Sequence, residues 1–547
     1  MTRKANRFDN EIAQVAADIF GWNELRAGLQ DAIRAALDGR DVVAIMPTGY
    51  GKSAIYKVAG ALLDGPTVIV SPLIALQADQ VAGIQARASA PRAVAINSAQ
   101  GDTANDQAWD SLQGGRAEYL FLSPEQLANP AVLERLSAAK VSLVVVDEAH
   151  CVSSWGHDFR PDYLRLNDAI DTLGRPPVIA MTATGSGPIR EEIIERLGLR
   201  DHVLIARGYD RPNIRLEVER HNEEHDKHAA VLDQIDELAK PGLLYVATRR
   251  ETEEYAAELQ ERGMRAAAYH GGLGAKKRRE LHEQFRDDAF DVVVATSAFG
   301  MGIDKANIRF VVHAAAPESV DAYYQEVGRA GRSGEPALAY LHYRSEDLSL
   351  RKFFASGKPS KGRLERVLAA LHSAEHPVSD AELAEATNLS VRQLGSSLNL
   401  LLDAHVVDRA DGALIADRST TVADGIAAAE EVAERRANID ESRIAMMRSY
   451  AETRECRRVF LLGYFGEHRD EPCGNCDTCT SGTAYEERHE AHEARFPVDA
   501  PVRHSEWGDG TVMKVEDDRI TVFFESEGYR VLSLELIEEN HLLELVR

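Results

Sequence analysis

The chain has little with which to cross a membrane or to lace itself with disulfides. No apolar run in its 547 residues approaches the roughly eighteen that a spanning helix needs. Met1-Thr2-Arg3-Lys4 leads into a polar amphipathic stretch rather than an apolar leader, so a cytoplasmic protein with no membrane partner is expected. Cysteine is scarce: there are five, and Cys456, Cys473, Cys476 and Cys479 crowd into one short segment. Positive charge is short as well. A formal net charge of −25 speaks against a simple basic nucleic-acid binder, although an enzyme needs only a local positive track. Residues 481–547 carry 16 acidic and 7 basic side chains, and such a phosphate-repelling end suits a protein partner better than DNA.

What the chain does have is a pair of motifs. Val42-Val43-Ala44-Ile45 reads as a buried parallel strand, and Met46-Pro47-Thr48-Gly49-Tyr50-Gly51-Lys52-Ser53 follows it. The strict phosphate-loop pattern wants Gly at position 46, yet Gly49 and Gly51 still let the backbone curl so that its N–H groups face inward ahead of a helix. Lys52 can then neutralise the outer phosphates, and the Ser53 hydroxyl can hold Mg²⁺. Leu143-Val144-Val145-Val146 reads as a second strand, with Asp147-Glu148-Ala149-His150 at its end. Asp147 completes the cation site and Glu148 is placed to polarise an attacking water. Alone, Gly-Tyr-Gly-Lys-Ser is also what a plain loop before a helix looks like. Together, the two motifs describe hydrolysis of a nucleoside triphosphate.

Residues 1–345 alternate short apolar runs with helical segments, the pattern of strand–helix units stacked on parallel sheets. Strands are expected at Val68–Val70, Tyr119–Leu122, Leu143–Val146 and Val178–Met181, and again at Leu243–Val246, Ala266–Tyr269, Val292–Val294 and Phe310–Val312. Only the first series opens with a phosphate loop, so the nucleotide belongs in a cleft to which the second series brings groups. Gln325-Glu326-Val327-Gly328-Arg329-Ala330-Gly331-Arg332 puts Arg329 and Arg332 one helical turn apart, on one face. An arginine delivered from the other domain stabilises the charge of phosphoryl transfer; a basic surface turn is the alternative reading. Cys473-Gly-Asn-Cys476-Asp-Thr-Cys479 has knuckle spacing, and Cys456 could complete a tetrahedral structural Zn²⁺ site. A redox motif is the alternative, and four thiolates leave the metal no open position for catalysis.

These residues carry a family resemblance. In order come Phe20-Gly21-Trp22-Asn23-Glu24-Leu25-Arg26, the phosphate loop, Ser71-Pro72-Leu73-Ile74-Ala75-Leu76, Leu122-Ser123-Pro124-Glu125, Asp147 to His150 and Thr182-Ala183-Thr184. Tyr269-His270-Gly271-Gly272-Leu273, Ala295 to Asp304 and the arginine motif follow, and Cys456-Arg457-Arg458 opens the cysteine cluster. The series resembles superfamily 2 helicases, and specifically the RecQ family of DNA helicases. The resemblance implies ATP and Mg²⁺ as cofactors beside Zn²⁺, single-stranded and tailed duplex DNA as substrates, and 3′→5′ unwinding in recombination and repair; a monomer is expected. It implies catalytic roles for Lys52, Asp147, Glu148, His150, Arg329 and Arg332, and nucleotide contacts for Arg26, Gln30, Thr48, Gly49, Tyr50, Gly51, Lys52, Ser53, Asp147, Gly302 and Asp304.

Ser154-Trp155-Gly156-His157-Asp158-Phe159-Arg160-Pro161 resembles the family's aromatic-rich loop. Trp155 and Phe159 offer flat faces on which unpaired bases stack, worth roughly 1–3 kcal/mol per base, and Arg160 adds a phosphate or cation–π contact; His157 lies between them. Core packing is the alternative for the two aromatics. One departure concerns the adenine. The family's base-reading Gln falls, by an ungapped count from Gly39-Arg40-Asp41, on Leu29, with Gln30 one residue later. Either Gln30 reaches the base from a shifted helix start, or stacking and Arg26 hold it alone.

The expected architecture is α/β: two RecA-like parallel-sheet domains (1–208, with the nucleotide loop, and 209–345), a winged-helix-like module (360–420), a helical zinc-binding subdomain (424–482), a charged linker (483–496) and a small Tudor-like β barrel (497–547). The module rests on helices over 361–373, from Ser379 or Asp380 to Thr387, and from Ser390 to about residue 402, with a hairpin turning at Asp411-Gly412. DNA binding and protein docking or a structural role are both open for it. The barrel rests on Gly508-Asp-Gly510-Thr-Val512, and its acidity favours a protein partner. Two other functions stay open: a DNA-stimulated translocase that unwinds little, and a winged-helix regulator using ATP as a switch. Glu148, Arg329 and Arg332 count against the switch, which needs no hydrolytic groups.

Overall fold

The computed structural model describes residues 2–546 except 73, 88–91, 98–99, 128, 154–162, 164, 300–304, 349–358, 411–412, 468, 486–495, 498–499, 516–518 and 525. The chain forms two compact units. One comprises residues 1–347 with 446–499 and 513–517, the other 348–445 with 500–512 and 518–547. Among the described residues no helix is long and apolar enough to cross a membrane.

The first unit is built on two parallel sheets. In the first, β1 (Val42–Ile45), β2 (Thr67–Val70), β3 (Ala93–Ile96), β4 (Tyr119–Leu122), β5 (Leu143–Val146), β6 (Val178–Thr182) and β7 (Val203–Ala206) stand in the order β3-β4-β2-β5-β6-β1-β7. The six from β1 to β6 are buried end to end. That is why their sequences are unbroken apolar runs instead of alternating ones. The second sheet orders β8 (Ile214–Arg220), β9 (Gly242–Tyr245), β10 (Ala266–Tyr269), β11 (Val292–Ala295), β12 (Phe310–His313) and β13 (Ala337–Tyr343) as β10-β11-β9-β12-β13-β8. Strands β3, β7, β8 and β13 escape the sequence pattern. β3 is Ala-rich, β7 is half exposed, and β8 and β13 mix charged or aromatic residues into their runs. Helix Arg457–Tyr464 and the knuckle that follows pack on the second sheet, with Leu216 of β8 bridged to Cys476.

In the second unit the helices Lys361–Ser373, Asp380–Thr387 and Val391–Asp403 pack with the hairpin β14 (Val407–Ala410) and β15 (Ala413–Ala416) around Leu364, Leu368, Leu383, Leu398 and Leu401. Ser379 and Ser390 each close a capping box, with Glu382 and Gln393, so the helix starts read from sequence are the physical ones. Val378 bridges Leu414 as a third extended piece. The C-terminal sheet runs β19 (Gly528–Ser533), β18 (Arg519–Phe524), β17 (Gly508–Val515), β16 (Pro501–His504), β20 (Leu543–Leu545), and a helix, Leu534–Asn540, interrupts it. The sequence pattern shows neither that helix nor the two short strands β16 and β20. The long helix Val422–Glu452 breaks before Cys456, and a second helix starts at Arg457.

Candidate functional site

Sheet order assembles the site. β6 stands between β1 and β5, so the phosphate loop after β1, the carboxylates after β5 and Thr182-Ala183-Thr184 at the end of β6 share one carboxyl edge, where open α/β sheets bind ligands. In the loop, Gly49 and Gly51 have φ of 80° and 102°, a region a side chain enters only with strain. Lys52 Nζ donates to Met46 O at 2.6 Å inside the loop. Burial lowers the Lys52 pKa, while Glu148 and Asp147 favour its charge and Arg332 opposes it. Lys52 therefore lies within electrostatic reach of both carboxylates and of Arg332. Asp147 is pushed up to about 7, by burial first and by Glu148 second, with Lys52 pulling the other way.

Glu148 has a left-handed backbone, φ 50°, and its Oε2 is buried without a hydrogen-bond partner among the described residues. His150, fully buried, places Nδ1 2.9 Å from Thr182 Oγ1 and 3.4 Å from Glu148 Oε2. The Thr182 hydroxyl gives its one proton to Thr184 O at 2.8 Å. Nδ1 must therefore carry the imidazole proton and donate to Thr182. His150 is thereby fixed to the end of β6, with Glu148 Oε2 beside its ring.

The opposite wall of the cleft comes from the second sheet. Arg332 lies on the phosphate loop, its Cγ 3.3 Å from where a Cβ on Gly49 would stand. Arg329 is buried, its Nε has no hydrogen-bond partner among the described residues, and its charge bears on Tyr245 and His282. The helix that precedes them ends at Val327. The two arginines therefore sit on a turn after the helix, and the expected shared helical face does not form. Arg211 and Asn213, missed in the sequence, hold that turn: Arg211 Nη2 donates to Ala330 O and Gly331 O at 3.0 and 3.1 Å, and Asn213 Nδ2 donates to Gly331 O at 2.7 Å. Their only signal was the charged Asp210-Arg211-Pro212-Asn213 run at the start of the second domain.

The cleft is about 260 Å³ and is lined by Arg26, Thr48, Tyr50, Arg211, Asn213 and Arg332, among others. Arg26 Nη1 donates to Gly49 O at 2.9 Å, and its guanidinium stands 5.4 Å from the centre of the Tyr50 ring. Gln30 does not line this cleft. Its Nε2 donates to Asp9 Oδ1 at 3.0 Å, alongside Arg34. Leu29 is buried in the core, its Cδ1 3.7 Å from the Cβ position of Gly51. The Gln30 amide is engaged by Asp9 rather than turned into the cleft. Gly302 and Asp304, like Trp155, His157, Phe159 and Arg160, lie outside the described residues.

The donors fit the groups they would hold. The loop, Lys52 and Ser53 with Asp147 and Glu148 offer the donors that a phosphate and Mg²⁺ would need, and Glu148 Oε2 is without a hydrogen-bond partner among the described residues. The four cysteines put their Sγ atoms within 4.8 Å of one another, with 4.0 Å for Cys473–Cys479 and for Cys456–Cys476. Four thiolates about 2.3 Å from one tetrahedral Zn²⁺ stand about 3.8 Å apart, so the cage closes on zinc with little movement. None of the four is in a disulfide. Gly474, φ 68°, makes the knuckle turn. Arg457 grips Asp477 (2.8 and 2.9 Å), and Arg458 grips Asp210 (2.6 Å). Tyr209 stacks on Phe465 at 4.7 Å and 3°, so the zinc module is bound to the segment that carries Arg211.

A phosphate loop and an arginine turn on opposite walls of one cleft define a two-domain nucleotide-binding protein of the superfamily 2 helicase class. Residues 28–192 match the DEAD/DEAH box helicase family, 226–334 the helicase conserved C-terminal domain, and 416–480 the RecQ zinc-binding family. The probable ATP-dependent DNA helicase RecS of Bacillus subtilis is 40% identical over 343 residues, 62% of this chain and 68% of that protein. The ATP-dependent DNA helicase RecQ of Haemophilus influenzae is 32% identical over 465 residues, covering 85% of this chain and 63% of that one. The chain thus spans under two thirds of that RecQ's length. The structure of Mycobacterium smegmatis helicase Lhr bound to ssDNA and AMP-PNP shares the fold at TM-score 0.50 and 19% identity, over 80% of this chain and 62% of that one. The chain belongs to the RecQ family of ATP-dependent DNA helicases.

Proposed function

We propose that the protein couples ATP hydrolysis to 3′→5′ translocation on single-stranded DNA and to unwinding of tailed duplexes, in recombination and repair. The carrying observation is Arg332 of the second domain lying on Gly49 of the first domain's phosphate loop. Hydrolysis then depends on the two domains meeting. Bound ATP with Mg²⁺ supplies the phosphoanhydride and the divalent charge. Lys52 and the loop amides would hold the phosphates, Ser53 and Asp147 would hold the cation, and Glu148 would orient the attacking water. Arg329 and Arg332 answer the charge that develops on the γ-phosphoryl group, with Gly302 and Asp304 contributing from the second domain. Trp155, His157, Phe159 and Arg160 follow Glu148 closely in sequence, so DNA stacking on them transmits to the hydrolytic groups. Arg26 and Tyr50 hold the adenine by stacking, without Gln30. The protein works as a cytoplasmic monomer, and its acidic C-terminal sheet docks a protein.

ATP turnover and strand displacement, measured together on a 3′-tailed and a 5′-tailed duplex, test this. Displacement confined to the 3′ tail supports it, and displacement confined to the 5′ tail overturns it. One feature favours a second reading. The hairpin Val407–Ala416 offers no aromatic residue to wedge between base pairs, which suits a translocase that unwinds little. DNA-stimulated turnover with no displacement on either substrate selects that reading.

A further inference from the structure

We propose that Glu219, His221 and His342 form a second metal site, for a divalent first-row transition ion of the Zn²⁺ class, on the outer strands of the second domain. The backbone register brings the three together. β8 pairs with β13 in parallel, with Glu219 opposite His342. The pairing continues from His221 N to Tyr343 O at 2.9 Å, so His221 faces the same side of the sheet as Glu219, two residues earlier.

The ligand atoms are set for one ion. His221 Nε2 stands 3.0 Å from His342 Nδ1, and Glu219 Oε2 stands 4.0 and 3.8 Å from those two nitrogens. The point equidistant from the corners of that triangle is about 2.1 Å from each, which is the Zn–N and Zn–O bond length. Ligands that close converge on a cation once the His221 proton moves from Nε2 to Nδ1. His342 is fully buried, His221 is nearly so, and Glu219 is about half exposed, which leaves an entry path and a coordination position for water.

The groups behind the ligands are also those a metal site uses. His342 Nε2 meets Gln234 Oε1 at 2.8 Å. An amide oxygen only accepts, so Nε2 carries the proton and Nδ1 presents its lone pair to the triangle. The Tyr340 hydroxyl donates to Glu219 Oε2 at 2.7 Å and fixes the carboxylate. The nearby Lys227 ammonium is taken up by Asp347 and Glu224, at 2.8 and 3.1 Å. Two imidazoles with a carboxylate suit Zn²⁺, Co²⁺ or Ni²⁺, and not Mg²⁺ or Ca²⁺. An ion here pins β8 to β13, and β8 is the strand on which the cysteine knuckle leans, through Leu216–Cys476 and from Val218 N to Asp477 Oδ2 at 3.4 Å. Without metal the same atoms form a hydrogen bond from His221 Nε2 to His342 Nδ1.

The test uses the full chain with its knuckle zinc in place, titrated with Co²⁺ and separately with Zn²⁺. Bound metal is counted by elemental analysis after gel filtration, and Co²⁺ is followed by visible absorption. The wild type should take up one equivalent beyond the knuckle, with no sulfur-to-cobalt charge-transfer band. His221→Gln and Glu219→Gln, which leave the buried His342 in place, should weaken that equivalent by about tenfold or more, and Tyr340→Phe by about tenfold. All three should keep the knuckle zinc. A wild type that binds no ion beyond the knuckle overturns the proposal. So does a second equivalent that His221→Gln and Glu219→Gln bind as tightly as the wild type.

Discussion

Replacing Gln30 by Ala separates a base-reading side chain from a fold-holding one. Gln30 Nε2 gives one hydrogen bond, 3.0 Å long, to Asp9 Oδ1, an oxygen that also receives Arg34 Nη2 at 2.5 Å. Removing Gln30 leaves Asp9 its stronger partner, so the expected loss of stability is that of one net hydrogen bond, about 0.5–1.5 kcal/mol, toward the low end because the site is partly exposed. The Asp9 carboxyl is held below its usual range, chiefly by Arg34. Its contribution is present above its unfolded-state pKa and is lost as the pH falls through the folded one, so the difference between wild type and variant should shrink in acid. Nucleotide use should not change. Were Gln30 reading adenine, the same hydrogen bond would appear as a rise of about two- to thirteenfold in KM for ATP, with GTP unaffected. Urea unfolding and steady-state turnover of ATP and GTP, both with saturating single-stranded DNA, measure the two effects side by side. With Leu29 buried in the place of a base-reading amide, the wild type should discriminate weakly between the two purines. A strong wild-type preference for ATP that Gln30→Ala destroys would refute the reasoning.

Glu148→Gln should bind ATP and lose hydrolysis, since the amide keeps the shape and gives up the base; turnover at the wild-type rate would remove Glu148 from the water-orienting role. Arg332→Ala should cut turnover by roughly 10³-fold or more while nucleotide binding, read by fluorescence titration, changes little. Cys476→Ser should lower the zinc content of purified protein below one per chain and reduce soluble yield before it reduces the specific activity of what remains; elemental analysis follows the first. Trp155→Ala should reduce the stimulation of ATPase by single-stranded DNA far more than basal hydrolysis, and equal loss of both would assign Trp155 to folding.

Local chemistry was legible in the chain. A phosphate loop needs particular residues in one run, and so do a strand-end Asp-Glu and a cysteine knuckle. Lys52, Asp147, Glu148 and the four cysteines could therefore be named with no knowledge of the fold. The helix starts at Ser379 and Ser390 were legible for the same reason, because a capping box is a contact across three residues. Relations between distant segments were not. That Arg329 and Arg332 leave their helix at Val327, that Arg211 and Asn213 carry the turn they sit on, and that Gln30 faces Asp9 depend on which strands stand side by side. The same is true of His150 against Thr182, which meet because β6 lies next to β5, and of His221 against His342, which meet because β8 pairs with β13. In a parallel sheet every neighbour is reached through a crossover of arbitrary length. Sequence alone therefore named the candidate groups within one loop, and the tertiary structure decided which groups face each other across strands and across the cleft.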